Sequence, residues 1–165
     1  MVVEGTSTGG GWRFQKGRVI MCSVFDVAAY ILGKKIGRSL PHMKLQKLVY
    51  YSQAWSLVWD EKPLFSARIE AWANGPVVRT LYARLRKQFT VPFAAVNGDP
   101  TKLNQTQRDT VDSVHRFYGP KPSQWLSDLT HMEYPWQNAR TGLSPGDRGT
   151  NEITLAVMAE YYGSL

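Results

Sequence analysis

The residue types that most often perform catalysis are sparse in this 165-residue chain, and His131 with Glu133 is the only tempting pair. An imidazole and a carboxylate could act as acid and base or bind a metal ion. Two residues apart, however, they point to different faces of a helix, and no third ligand is placed beside them. His42 and His115 could converge on the pair, but nothing requires it. We favour a structural role, in which both side chains satisfy helix ends and backbone groups at the turn set by Pro135.

The single cysteine, Cys22, is the other candidate for chemistry, as a nucleophile. A thiol reacts in this way only when the fold places a base beside it, and a lone cysteine is more often inert. The chain has no glycine-rich phosphate loop, nucleophile elbow, paired-cysteine zinc site or HExxH motif. The sequence therefore predicts no catalytic residue, no metal site and no cofactor, and we do not expect an enzyme.

Basic residues indicate a binding role, because the formal net charge is +7 and acidic partners are favoured. One predicted helix carries Arg79, Arg84, Arg86 and Lys87. Five further cations could extend it to a nucleic-acid footprint. These are Lys34, Lys35, Arg38, Lys44 and Lys47. No helix-turn-helix spacing or RNA-recognition motif accompanies them, and the arginines could be a solvated helix face. A protein-binding surface rich in Arg, Trp and Tyr is at least as natural.

The stretch Met43–Asp60 is the element around which the other elements are organised. Apolar and small residues recur along it with helical periodicity. They are Leu45, Leu48, Val49, Ser52, Trp55 and Trp59. Other apolar residues widen this face to more than half of the circumference, so neighbours must pack on several sides. The pattern predicts a central, largely buried helix with Trp59 on its buried face.

Capping signals and apolar stripes predict the remaining helices, and Ser23 with Asp26 and Asn104 with Gln107 have the spacing of capping boxes. They begin near Ser23, Pro76, Asn104, Ser123 and Thr150 or Asn151. The helix after Pro76 includes Phe89 on its apolar face, and the last helix includes Ile153 in its stripe. Residues 65–73 alternate loosely and favour one short strand, whereas residues 90–103 and 141–149 contain Gly and Pro and predict loops.

These elements predict a mostly α fold, a compact single-domain bundle of about six to seven helices around the central buried helix, with room for one short strand or hairpin. Residues 1–20 lack an apolar pattern and are expected to form a flexible N-terminal extension, with the domain spanning residues 21–165. The longest apolar runs fall short of a membrane helix, and one cysteine suits a reducing compartment. A cytoplasmic location is expected.

Three stretches of the chain together resemble a known family. They are KLQKLVYYSQAW at residues 44–55, PLFSARIEAWANGPVV at residues 63–78 and LSDLTHMEYPWQNAR at residues 126–140. In this order and at these separations they resemble the Panacea domain, a SocA-like antitoxin domain that is also found in phage-associated GepA-type proteins. The match extends over nearly the whole chain, from Met21 to Tyr162.

The resemblance implies the antitoxin half of a toxin–antitoxin or phage-defence module, which inhibits a cognate toxin encoded by a neighbouring gene through direct protein contact. A subset of such proteins delivers the toxin to a protease, and the domain is not known as an enzyme. The signature residues are expected to build the scaffold. They are Trp55, Trp72, Gly75, Pro76, His131, Pro135 and Trp136. Toxin binding is expected on the exposed basic helix and on the loops at residues 90–103 and 141–149. The predicted toxin-binding residues are Arg79, Tyr82, Arg84, Arg86 and Lys87.

Overall fold

The computed structural model describes residues 21–34 and 37–165, so the predicted extension at residues 1–20 and Lys35 lie outside the described residues. Eight α-helices and four short strands occur within these ranges, which confirms the mostly α class. The helices are α1 (Val24–Gly33), α2 (His42–Trp59), α3 (Arg79–Leu85), α4 (Phe93–Val96), α5 (Gln105–Tyr118), α6 (Ser123–Met132), α7 (Tyr134–Ala139) and α8 (Leu155–Gly163). The strands are β1 (Ser39–Pro41), β2 (Ile69–Trp72), β3 (Gly75–Val78) and β4 (Thr90–Pro92).

Helix α2 is the predicted central helix, and α1, α5, α6, α8 and β3 all pack against it. Its residues Leu45, Leu48 and Val49 are buried, as the periodicity predicts. Trp59 is the exception, because its side chain is 50% exposed. This residue is the last of the helix and lies beside α5 at the surface, and its ring stacks on that of Trp55 at 5.0 Å between centroids.

Polar side chains of α2 are also buried, and they hydrogen-bond the backbone of the segments that cross the helix. The Gln53 side-chain oxygen accepts from the amides of Leu64 (2.7 Å) and Phe65 (3.3 Å), and its amide nitrogen donates to the carbonyl of Phe65 (2.7 Å). The Gln46 oxygen accepts from the amide of Val78 at 2.9 Å. These bonds satisfy buried backbone groups that no helix or strand pairs.

Two small sheets hold the loops against the bundle. β1 pairs antiparallel with β4, and β2 pairs antiparallel with β3 as a tight hairpin. The chain before α8 then adds to the other edge of β2, because the amide of Ala71 donates to the carbonyl of Asn151 and that of Ile153 donates to the carbonyl of Ile69, both at 2.9 Å. This pairing brings residues 141–150 beside the hairpin.

Both predicted capping boxes are present. Ser23 and Asp26 exchange side-chain and backbone hydrogen bonds at the start of α1, and Asn104 and Gln107 do so at the start of α5. Ser123, by contrast, is the first residue of α6 rather than its cap. The last helix begins later than predicted, because Thr154 caps it and Ile153 is engaged with β2.

The prediction that Pro76 starts a helix is wrong, because Pro76 lies in β3 opposite Ala71. Helix α3 begins after the hairpin and ends at Leu85, since Arg86 has a non-helical ψ of 138° and Lys87 has a positive φ of 69°. Phe89 therefore lies outside the helix and is 88% exposed. The backbone at this point has another partner, because the carbonyl of Phe89 accepts from the amide of His42 at 2.8 Å.

The segment 90–103, predicted as a loop, contains regular structure. It consists of β4, the single-turn helix α4 and a 3₁₀ turn at Pro100–Lys102. The pairing of Val91 with Leu40 and the Asp99 side chain, which caps the turn, order this segment. Within the described residues, no helix combines the length and apolar character needed to cross a membrane.

The bonds of Gln53 generate a prediction about stability. Gln53→Leu removes the partner of three buried backbone groups, each of which costs roughly 1–3 kcal/mol when unpaired. We expect the free energy of unfolding, measured by urea denaturation, to fall by about 3 kcal/mol or more. The matched control is Gln124→Leu, because that glutamine is exposed on α6. Equal stability of the two variants would contradict the role of Gln53.

Candidate functional site

The predicted toxin-binding residues of α3 divide between two sides of the helix. Arg79, Tyr82 and Arg86 line one open groove. Arg84 points elsewhere, with its guanidinium 3.3 Å from the ring centroid of Phe25. Lys87 is exposed just beyond the end of the helix. The basic helix is therefore not one uniform surface.

Arg84 already holds parts of the fold together. Its guanidinium donates to the carbonyls of Val96 (3.0 Å) and Asn97 (3.4 Å) in addition to stacking on Phe25. These contacts join α3 to α1 and to the end of α4. A change at this position would disturb packing as well as charge, so Arg84 is a poor residue with which to test binding.

The groove beside α3 has a volume of about 660 Å³, within the roughly 300–1,000 Å³ range of ligand sites. We call it the arginine groove after its principal residues. These are Trp72, Asn74, Arg79, Tyr82, Arg86 and Arg148. Among the described residues that line it, every charged side chain is an arginine. The arrangement suits an anionic partner.

The floor of the arginine groove is aromatic and is fixed from below. The rings of Trp72 and Tyr82 meet edge to face at 4.7 Å between centroids. The indole nitrogen of Trp72 donates to Glu70 at 2.9 Å, and Arg79 lies 3.7 Å from the same carboxylate. Glu70 is only 2% exposed and also binds Arg68 at 3.1 Å. A buried carboxylate thus positions one aromatic ring and one arginine of the groove.

The wall opposite α3 is the loop that carries Arg148, and Arg140 holds this loop in place. The buried guanidinium of Arg140 donates to the carbonyls of Ala71 (3.0 Å), Asp147 (2.7 Å) and Ser144 (3.3 Å). The side chain of Asp147 in turn accepts from the amide of Ser144 at 2.8 Å. The predicted loop at residues 141–149 is confirmed as lacking a helix or strand, yet it is tied to β2 at several points.

Next to the hairpin, Lys47 of α2 is buried with 1% exposure. Its ammonium nitrogen has no hydrogen-bond partner among the described residues. Burial lowers the pKa of Lys47 to about 7. Gly75 makes this packing possible: its φ is +119°, and a Cβ there would lie 2.4 Å from Cε of Lys47 and 3.0 Å from Oγ1 of Thr130. Lys47 therefore cannot belong to an exposed nucleic-acid footprint.

His131 and Glu133 do not converge on one site. The imidazole of His131 stacks on Trp136 at 4.1 Å between centroids, and burial, followed by the charge of Lys47, lowers its pKa. The carboxylate of Glu133 accepts from the hydroxyls of Tyr51 (2.7 Å) and Tyr162 (2.9 Å), and burial raises its pKa. Both side chains contact aromatic residues of the fold, so the expectation that they satisfy helix ends and backbone groups is wrong.

The other candidates for chemistry are also engaged in the fold. Burial, with the Asp26 charge as the second cause, raises the pKa of the Cys22 thiol to about 12, which disfavours the reactive thiolate. His42 hydrogen-bonds Gln46 at 3.1 Å and stacks on Tyr82. Within residues 21–34 and 37–165, no cluster of three or more His, Cys, Asp or Glu is arranged to hold a metal ion.

Other predicted scaffold residues make extensive internal contacts. The indole nitrogen of Trp55 donates to Tyr118 at 3.0 Å, and that of Trp136 donates to the carbonyl of Trp72 at 2.8 Å. Pro135 is buried in the first turn of α7. Trp72 differs from the others because it also lines the arginine groove, so this signature residue joins scaffold and surface.

Comparison with known proteins identifies one family. The family model described as "Antitoxin SocA-like, Panacea domain" matches residues 45–137, more than half of the chain. This range contains all but the first three residues of α2, the hairpin and α3, whereas Arg148 lies beyond it. Neither a search of curated proteins nor a search of solved structures returned a match.

The unpaired amine of Lys47 generates a prediction about stability and pH. The pKa of Lys47 is about 7 in the folded chain and about 10.4 in the unfolded chain. Between pH 7 and pH 10.4 the unfolded chain therefore binds more protons than the folded chain, and the free energy of unfolding rises with pH. At and below pH 7 the cost of burying the amine is present. We expect Lys47→Met to raise the unfolding free energy at neutral pH by about 2–4 kcal/mol and to flatten its rise towards about pH 8.5.

The measurement is the free energy of unfolding in urea, for the parent and for the variant, at pH 7 and at about pH 8.5. Lys102→Met, at an exposed lysine, is the control for loss of charge. A Lys47→Met protein that is less stable than the parent, with the pH dependence unchanged, would show that the amine is paired in solution.

Proposed function

This chain belongs to the family of SocA-like antitoxins with the Panacea domain, and from that premise we propose that it neutralises a cognate toxin by direct protein–protein binding. The toxin is a protein encoded by a neighbouring gene, and the pair forms a toxin–antitoxin or phage-defence module. The family match carries this proposal, and the arginine groove beside α3 gives it a candidate surface.

The chemistry of this surface supports a protein partner. Arg, Trp and Tyr are the residue types that most often dominate the binding energy of protein interfaces. Arg79 and Tyr82 on α3 and Arg86 just after it present two of these types, and Trp72 adds the third from the hairpin. A toxin that offers acidic side chains here would gain both association rate and specificity.

Nucleic-acid binding has less support. Of the cations that would form the footprint, Lys47 is buried and Lys34 pairs with Asp112 at 3.3 Å. Arg84 is stacked on Phe25. The proposal places the complex in the cytoplasm, where a chain with one cysteine needs no oxidising environment.

The function is tested by expressing the neighbouring gene alone and together with this one. We expect the neighbour to arrest growth alone, and the pair to grow and to yield a complex on purification. Rescue accompanied by disappearance of the toxin would favour a proteolytic adaptor. A harmless neighbour that forms no complex would reject the antitoxin role and direct attention to nucleic acid, whose binding should weaken steeply with salt.

The position of the toxin on the basic surface is tested by charge reversal. Arg86→Glu with Lys87→Glu changes two exposed residues at the end of α3. We expect the dissociation constant for the toxin to rise about tenfold or more, because rim charges steer association. The control is Lys102→Glu with Arg116→Glu, which changes the same charge at exposed positions elsewhere. Equal binding of the two double variants would move the interface away from this end of α3.

A further inference from the structure

The geometry of the arginine groove points to a particular partner chemistry. We propose that the groove binds an extended acidic segment of a protein partner, with carboxylates on the arginines and an apolar side chain on Trp72 and Tyr82. This inference rests on the proposed function in one respect, because it takes the toxin as the source of the segment. The chemistry of the groove can be tested without the toxin.

The positive charges of the groove favour a ligand that carries several carboxylates. Arg79, Arg86 and Arg148 all line it, and no acidic side chain lies among the described lining residues. The nearby carboxylates are engaged in the fold: Glu70 is buried and binds Arg68, Arg79 and the indole of Trp72, and Asp147 accepts from the amide of Ser144. A guanidinium offers a planar fork of donors that matches a carboxylate with two parallel hydrogen bonds.

The spacing of the arginines favours a chain of charges over one compact anion. Arg79 begins α3 and Arg86 follows its last residue, so the two backbones are separated by roughly 10 Å at 1.5 Å per residue. Arg148 lies on the opposite wall. An extended peptide advances about 3.3 Å per residue, so carboxylates on alternate residues span the same distance within a few residues.

The groove is organised before any partner arrives. Arg140 ties the wall that carries Arg148 to β2 through the carbonyls of Ala71 and Asp147. On the floor, Glu70 holds the indole of Trp72, and the ring of Tyr82 stacks on His42 at 5.2 Å. A site whose walls are already fixed loses less entropy on binding, which leaves more of the contact energy as affinity.

The test uses purified full-length protein and a fluorescein-labelled peptide of about eight residues that alternates Glu and Leu, with the Gln and Leu peptide as its neutral counterpart. In an extended chain this alternation sends carboxylates to one side and apolar groups to the other. By fluorescence anisotropy at physiological salt, we expect the acidic peptide to bind at least about tenfold more tightly than the neutral one. Equal affinities, or no binding of the acidic peptide, would overturn the proposal.

Two variants locate the binding. Ala83→Trp fills the groove from α3 without changing charge, and Arg148→Glu reverses one charge on the opposite wall. Their controls are Ala94→Trp on α4 and Arg116→Glu on α5, at exposed positions that do not line the groove. We expect each groove variant, but neither control, to weaken peptide binding about tenfold while thermal unfolding stays at the parental temperature. Loss of binding in the controls as well would overturn the location.

Competition identifies the ligand class. We expect unlabelled acidic peptide to displace the probe, whereas inorganic phosphate, ATP or a single-stranded oligonucleotide at the same concentration does not. Displacement by one of these would overturn the peptide assignment in favour of that ligand.

Growth assays separate this inference from the antitoxin role. If the parent neutralises the toxin and Ala83→Trp and Arg148→Glu do so equally well, the groove is not the toxin site and the antitoxin function stands. If the parent fails to neutralise its neighbour, the antitoxin function fails, and the peptide measurements still decide what the groove binds.

Discussion

The rest of the structure depends on one constraint, which is that helix α2 is buried on nearly all sides while non-helical chain crosses it at two places. Backbone amides and carbonyls buried at those crossings need partners. Gln53 binds the chain at Leu64 and Phe65, and Gln46 binds it at Val78. Gln46 and Gln53 therefore supply the hydrogen bonds that neighbouring strands would supply in a sheet. These bonds fix the path of residues 62–78 across α2.

The candidate site is an indirect product of that path. With Val78 bound to Gln46, β3 packs against α2, and only a glycine at position 75 leaves room for the side chain of Lys47. The outer side of the hairpin then presents Trp72 beside Arg79, with Glu70 buried behind both. The same few residues thus belong to the scaffold and to the groove, so a substitution in the core can change the positions of the side chains that line the groove.

Local signals were predictable from the sequence, and long-range ones were not. The apolar periodicity of α2 and the two capping boxes depend on residues within a few positions of each other, and all are confirmed. The strand position of Pro76 and the pairing of Ile153 with Ile69 depend on partners distant in sequence, which override local turn and helix signals. The groove was missed as a unit for the same reason. Arg79, Tyr82 and Arg86 were predicted as binding residues from their helix, and the loop at residues 141–149 was expected to bind as well. Nothing near Arg148, however, indicates that this loop and the helix line one groove.

The hydrogen bond between the hydroxyls of Tyr50 and Tyr162, at 3.0 Å, joins residues 112 positions apart. Tyr162 also shares Glu133 with Tyr51, so α8 closes one whole side of α2. During synthesis on the ribosome, α2 is made about 100 residues before α8, so this side of α2 stays uncovered until α8 has been made. At roughly 5–20 residues per second, the delay is of the order of 5–20 s, during which the central helix of the fold, with its many residues destined for burial, stays open to aggregation or to a chaperone. Synthesis speed across α5 to α7 should therefore influence how much of the protein reaches its folded state.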